Sequence, residues 1–213
     1  MTSSKNGNPA SCERGVLTVL SGPSGVGKGT VCSALRKMSA GLVYSVSATT
    51  RAPRPDEVEG VNYFFKSREQ FQQLIDRDEL LEWAEYAGNY YGTPRRFVEE
   101  TLNSGKDIIL ELEVQGALKV KRKFPEGVFI FLLPPSLDEL RNRSRGTETE
   151  EVIRSGITEA VNELKLIEHF DYAVVGDRVE LACSRIQSII TAEHCRKEKV
   201  FPKIRPWLDE VRS

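Results

Sequence analysis

Nine consecutive residues, GPSGVGKGT at positions 22–30, gather the residue types that bind phosphate. Glycines let backbone N–H groups curl around phosphate oxygens, and Lys28 adds a positive charge where a helix reads as starting. The segment follows the apolar run VLTVLS (16–21) and precedes TVCSALRKM, so strand, loop and helix come in the order this chemistry requires. The spacing G-x-x-x-x-G-K-[ST] is met at Gly22, Gly27 and Lys28, while Gly29 stands where Ser or Thr is expected. The missing hydroxyl weakens a protein ligand for Mg2+, although Thr30 is adjacent and substrate phosphates and water supply much of that ion's coordination. Pro23, Ser24, Gly25 and Val26 complete a stretch expected to hold a nucleoside triphosphate.

A second constellation speaks to what receives the phosphate. SATTRAPRPDEVEGVNYFF places Ser47, Arg51, Arg54 and Tyr63 on one loop-and-strand stretch, and two arginines three apart near a tyrosine hydroxyl suit a phosphate monoester. On spacing alone the better reading of the same arginines is a solvated turn kept polar by Pro53 and Pro55. Further along, Glu111 and Glu113 end the strand-like DIILELE, at the carboxyl edge where ligands gather in parallel sheets.

These groups need a scaffold, and the periodicity supplies one. The apolar runs at 16–21, 107–113 (DIILELE), 128–133 (VFIFLL) and 172–175 (YAVV), with VYSVS near residue 45, alternate with helical patterns. That alternation predicts an α/β fold, a mostly parallel sheet covered by helices. Between residues 45 and 95 short strands, Arg and Pro turns and aromatics take over, as in an inserted subdomain. Within it Ser67 and Gln70 form a capping box for REQFQQLID, and Thr93-Pro94 reads as the N-cap and first turn of a helix that Gly105 closes. The polar residues 1–14 read as a disordered tail, and 201–213 as a C-terminal tail with no functional account.

Five ordered blocks, GPSGVGKGT, SVSATTRAPRPDEVEGVNY, LLEWAEYAGNYYGT, ILELEVQG and RGTETEE, resemble guanylate kinase, a nucleoside monophosphate kinase family, from about Gly15 to about Cys195. The resemblance implies a P-loop core over 15–44 and 96–200, a GMP-binding insert at about 45–95 and a lid at about 141–156. It implies transfer of the γ-phosphoryl group of ATP to GMP, giving ADP and GDP, with Mg2+ accompanying ATP. By position it implies that residues 22–30 bind ATP, that Arg51, Arg54, Tyr63 and Tyr91 hold the GMP phosphate, and that Ser47, Glu82, Thr93 and Glu113 face guanine. Lys28 and Arg51, with the lid arginines Arg143 and Arg145, are the implied catalytic residues; Arg141 competes with Arg143 as the partner of Arg145. Chemistry supports Glu82 independently: guanine offers N1–H and N2–H side by side to one carboxylate, whereas adenine presents an acceptor at N1.

Several positions depart from the family pattern. Glu111 and Glu113 replace the commoner Asp, leaving direct or water-mediated contact to guanine or Mg2+ open. Gly156 and Gly176 stand where an arginine and an asparagine are usual, which implies looser contacts to the donor base. The rival from another class is a guanylate-kinase-like module that has lost catalysis and binds phosphopeptides; the intact Gly22, Gly27 and Lys28 favour the enzyme.

Composition narrows the field further. Thirty Lys and Arg against 31 Asp and Glu give a net charge of −1, so no bulk field recruits nucleic acid or a membrane surface. No apolar run approaches the ~18 residues of a bilayer span, and the N-terminus lacks a signal-peptide core, so a cytoplasmic protein is expected. The four cysteines form no CxxC pair, and the two histidines, His169 and His194, read as surface or satisfied helix residues. The basic run Lys119 to Lys123 reads as a solvated helix face. The expected partners are GMP and ATP alone, bound by a monomer or homodimer.

Overall fold

The structure, a computed structural model, describes residues 13–144 and 150–210. β1 (Leu17–Ser21) runs into a glycine-rich turn and α1 (Lys28–Met38), then β2 (Leu42–Tyr44). The chain next builds β3 (Ser47–Thr49), β4 (Tyr63–Phe65), α2 (Arg68–Asp76), β5 (Leu80–Tyr86) and β6 (Asn89–Pro94). It continues through α3 (Arg95–Asn103), β7 (Asp107–Glu111), α4 (Val114–Lys123), β8 (Val128–Leu133), α5 (Leu137–Ser144) and α6 (Glu150–Leu164). A 3-10 turn at Lys165–His169 leads to β9 (Tyr172–Val175), α7 (Val179–His194) and α8 (Lys197–Glu210).

Five strands form a parallel sheet in the order β2-β7-β1-β8-β9, with Val19 paired to both Leu110 and Phe129. Its central strands β1 and β8 are buried along nearly their whole length because both faces are covered. Alternate residues feed two cores: Leu20, Ile130 and Leu132 pack with Leu35 of α1 and Ile186 of α7. Leu17, Val19, Ile108 and Phe129 pack with Val98 of α3 and Val120 of α4. Each such fully buried side chain contributes about 1.5–3 kcal/mol. His194 closes the far end of the sheet, its Nε2 lying 2.9 Å from the Asp107 carboxylate, as a satisfied helix histidine.

The second sheet runs β4-β3-β6-β5 around Ala48, Phe71 and Leu80. The capping box of α2 forms as expected, Gln70 N donating to Ser67 Oγ at 3.2 Å and Ser67 N to Gln70 Oε1 at 2.9 Å. Ala87 and Gly88, with φ of 48° and 74°, make the two-residue turn between β5 and β6.

Four local expectations shift. VYSVS is not one strand but β2 and β3, which belong to different sheets. α3 starts one residue late, with Pro94 as N-cap, because Thr93 remains in β6; Gly105, at φ 81°, closes it as expected. DIILELE stops as a strand at Glu111, and Glu113 becomes the N-cap of α4. α8 runs across the boundary expected near residue 200 and contains Pro202 and Pro206.

From β1 the chain passes to β2 on one side of the sheet, while β7 leads across to β8 on the other. The carboxyl ends of β1 and β7 therefore flank a topological switch point, where α/β sheets bind ligands.

Candidate active site

The phosphate loop starts at Gly22, whose φ is 148°, and a Cβ there would come 2.4 Å from Leu132 O. Only glycine lets the loop leave β1 so close to β8. Gly27 takes the left-handed N-cap position of α1 at φ 99° with no side-chain cap, and the first turn carries no acidic residue. An anion is the complement of such a helix start. Val26 is buried beneath the loop, while Ser24, Gly25, Gly29 and Thr30 are exposed along it.

Lys28 lies inside this loop with 7 % of its side chain exposed. Its Nζ donates to Gly22 O at 2.8 Å, Pro23 O at 3.3 Å and Glu113 Oε2 at 3.3 Å. Glu163, reaching from α6, accepts from Ser24 N at 3.4 Å, and burial pushes its carboxyl above the ordinary range.

A cavity of about 500 Å³ opens between the carboxyl edge of the parallel sheet and the second sheet. Six of the expected acceptor residues line it: Ser47, Tyr63, Glu82, Tyr91, Thr93 and Glu113. Glu82 is the deepest carboxylate among them, 8 % exposed on β5, with Oε1 accepting from Thr93 Oγ1 at 2.7 Å across the hairpin. Burial raises its carboxyl above the usual range, against the lowering influence of Thr93 and of Lys119 and Lys123. Its neighbour Trp83 is the exposed one, at 36 %. The ordinary preference, Trp inside and Glu outside, is inverted here.

Arg51 and Arg54 are not on the cavity wall. Arg51 Nη2 pairs with Glu57 Oε1 at 2.6 Å and its guanidinium stacks 5.4 Å from the Tyr63 ring, so it reaches the cavity through that ring. The Arg51 guanidinium holds the Glu57 carboxyl below its ordinary value. The Tyr63 and Tyr91 rings meet edge-on at 6.1 Å. Arg54 is exposed, and its backbone N–H donates to Glu57 Oε2 at 2.8 Å. Glu57 thus organises both arginines, a role the sequence reading missed although it lies only six residues from Arg51.

Glu111 and Glu113 both reach the cavity, but Glu113 is spent on Lys28, leaving Glu82 and Thr93 as the paired polar groups deeper in the insert. Sequence reasoning also missed Arg36 and Lys119, which line the same space. Lys119 falls four residues after Gln115, a spacing that puts two lining residues on one face of α4. Of the expected lid, Arg141 pairs with Asp138 at 3.8 Å, Arg143 lies on α5, and Arg145 falls outside the described residues. A Cβ at Gly156 meets nothing within 4 Å, while one at Gly176 meets Leu132 Cδ1 at 3.4 Å.

Among the described residues no group of three or more His, Cys, Asp or Glu side chains could enclose a metal ion. The site still fits a Mg2+ delivered on phosphates. A Cβ at Gly29 would lie 3.5 Å from Glu111 Oε1, so a hard oxygen donor borders the loop at the position where a hydroxyl is missing.

A family model described as guanylate kinase matches residues 14–193. The guanylate kinase of Halalkalibacterium halodurans is 66% identical over 193 residues, spanning 90% of this chain and 95% of that protein. That of Shouchella clausii is 62% identical over 199 residues, 92% of this chain and 97% of the relative. Among solved structures, guanylate kinase from Anaplasma phagocytophilum superposes with a TM-score of 0.66 at 36% identity, covering 86% of this chain and 88% of that one. Phosphate loop, carboxylate-lined cavity and sequence identity converge: the chain belongs to the guanylate kinase family.

Proposed function

We propose that the cleft between the two sheets catalyses ATP + GMP ⇌ ADP + GDP, with the parallel sheet carrying the donor and residues of about 45–95 the acceptor. The observation that carries the acceptor assignment is Glu82: a buried carboxylate, hydrogen-bonded to Thr93, on the wall of a nucleotide-sized cavity. Guanine supplies two adjacent donors to such a group. Adenine would leave it facing a lone pair, an unpaired buried anion.

The chemistry asks little of the protein beyond position and charge. Loop amides and the Lys28 ammonium hold the donor phosphates, and Glu113 gives up its bond to Lys28 when phosphate oxygens replace it. Ser47 and Thr93 complete the base pocket with Glu82. Arg51, Arg54, Tyr63 and Tyr91 hold the acceptor phosphate, and as that anion arrives it takes over the Glu57 side of Arg51. Arg143 and Arg145 are assigned to the charge that moves with the transferred group. Glu111, with Thr30 at the loop, would hold Mg2+, which when bound neutralises charge on the donor phosphates. No general base is assigned. The substrates, and the thiols of Cys32 and Cys183 unpaired in the core, fit the cytosol.

Coupled measurement of ADP formation with GMP, AMP, CMP and UMP tests the reading. We expect kcat/KM for GMP to exceed that for AMP by about 10⁴-fold. Comparable rates with AMP refute the guanine assignment.

A further inference from the structure

The basic run at the end of α4 is more than a solvated face. Lys119 Nζ donates to Trp83 O at 3.0 Å and lies 5.9 Å from the Trp83 ring centroid. One turn later Lys123 Nζ donates to Leu80 O at 2.8 Å and pairs with Asp78. Two lysines four apart on one helix thus grip backbone carbonyls on both sides of Glu82. They join α4 of the parallel-sheet core to β5 of the second sheet.

The two are not equivalent. Lys123 is engaged by the Asp78 carboxylate, whereas Lys119 has no carboxylate partner among the described residues and lines the cavity itself. The other charged or titratable groups around this space are Tyr91 from β6, Tyr63 from β4, Tyr44 from β2, Glu111 at the end of β7, Glu113 at the N-cap of α4, and Arg36 from α1, with the neutral Thr93 hydroxyl bonded to Glu82. Arg36 stacks on Tyr44 at 4.4 Å, and Glu111 and Glu113 add negative charge that opposes a second anion nearby. Lys119 is therefore the cation placed to offset the cost of an ionised carboxylate at Glu82.

Resting on the assignment of Glu82 to the acceptor base, we infer that Lys119 is a positioning residue for base selection: it anchors β5 beside Glu82 and keeps that carboxylate anionic when the base arrives. Charge is what matters at this position, because only the anion presents two acceptors to guanine's two donors.

The test is steady-state kinetics across the carboxylate titration range on Lys119→Gln, Lys119→Arg, Glu82→Gln and the Lys119→Gln/Glu82→Gln pair. Lys119→Gln should raise KM for GMP about fivefold, the scale of a partly exposed charge pair. KM for ATP should hold. Loss of the cation raises the carboxyl further, so the acid limb of kcat/KM for GMP should move to higher pH, and Lys119→Arg should restore it. On the Glu82→Gln background the Lys119→Gln effect should vanish, as a double-mutant cycle requires of coupled groups. An unmoved acid limb, or the same loss on both backgrounds, overturns the inference. If Glu82→Gln itself leaves GMP unaffected, the base assignment falls and this inference with it. Should Lys119→Gln not fold, Lys119→Ala removes the same charge with the best helix former in its place.

Discussion

Replacing Glu82 by Gln should make the protein more stable and less active at once. Burial raises the folded-state carboxyl above its ordinary value, so the folded chain binds the Glu82 proton more tightly than the unfolded chain does. Ionising it therefore opposes folding. That cost is absent below the ordinary carboxylate range, grows as pH rises through it, and is complete above the raised folded-state value. Gln keeps the volume and the bond to Thr93 but carries no charge, so its advantage in Tm should widen from acid to neutral pH. Activity moves the other way. With one amide oxygen in place of two carboxylate oxygens, one charge-assisted hydrogen bond to guanine is lost, about 1.5–3 kcal/mol. At 1.36 kcal/mol per decade that is roughly a 10- to 150-fold fall in kcat/KM for GMP. The amide N–H can donate to adenine N1, so the rate with AMP should not fall in parallel. Thermal melts over a pH series and a coupled ADP assay with both acceptors read the two effects. A Tm below the parent at neutral pH, or an unchanged kcat/KM for GMP, refutes the reasoning.

Lys28→Met should cost about 10²–10³-fold in kcat, the scale of removing one preorganised charge donor. Its partner Glu113 is 66% exposed, so water replaces the ammonium and the melt should stay near the parent's; a retained kcat excludes this lysine from phosphoryl transfer. Ala87→Asn should stabilise by about 0.5–1 kcal/mol, raising Tm by a few degrees with kcat unchanged, because Ala87 holds φ at 48° in a two-residue turn where Asn is at ease. A fall in Tm would show that the turn is not strained.

Features encoded in adjacent residues were legible; those made by distant segments were not. The phosphate loop needs nine contiguous residues between a strand and a helix, and all of that is local. The bond from Lys28 to Glu113 joins residues 85 apart, and no spacing rule reaches it. VYSVS shows why alternation has limits: period two marks extended chain but does not say to which sheet each half belongs. The lysines of α4 carry an ordinary amphipathic pattern. What gives Lys119 a task is β5 lying against the helix, and Trp83 is 36 residues away.

The inversion at Glu82 and Trp83 is where the local rules and the site part company. A reader of LLEWAEY would bury the tryptophan, since burying a large apolar side chain is favourable and burying a carboxylate is not. β5 does the opposite because Leu80 and Leu81 already pack into the two cores on its opposite faces as it leaves the interior, and the next position opens on a polar cavity where Thr93 waits with a hydroxyl. Trp83 is then carried outward with Tyr90 against its edge at 5.7 Å. A sequence tends to break its own packing rules where a site demands it. Here the broken rule falls on the carboxylate assigned above to the acceptor base, bonded to a hairpin partner at Thr93 and followed by a residue whose carbonyl a helix lysine holds.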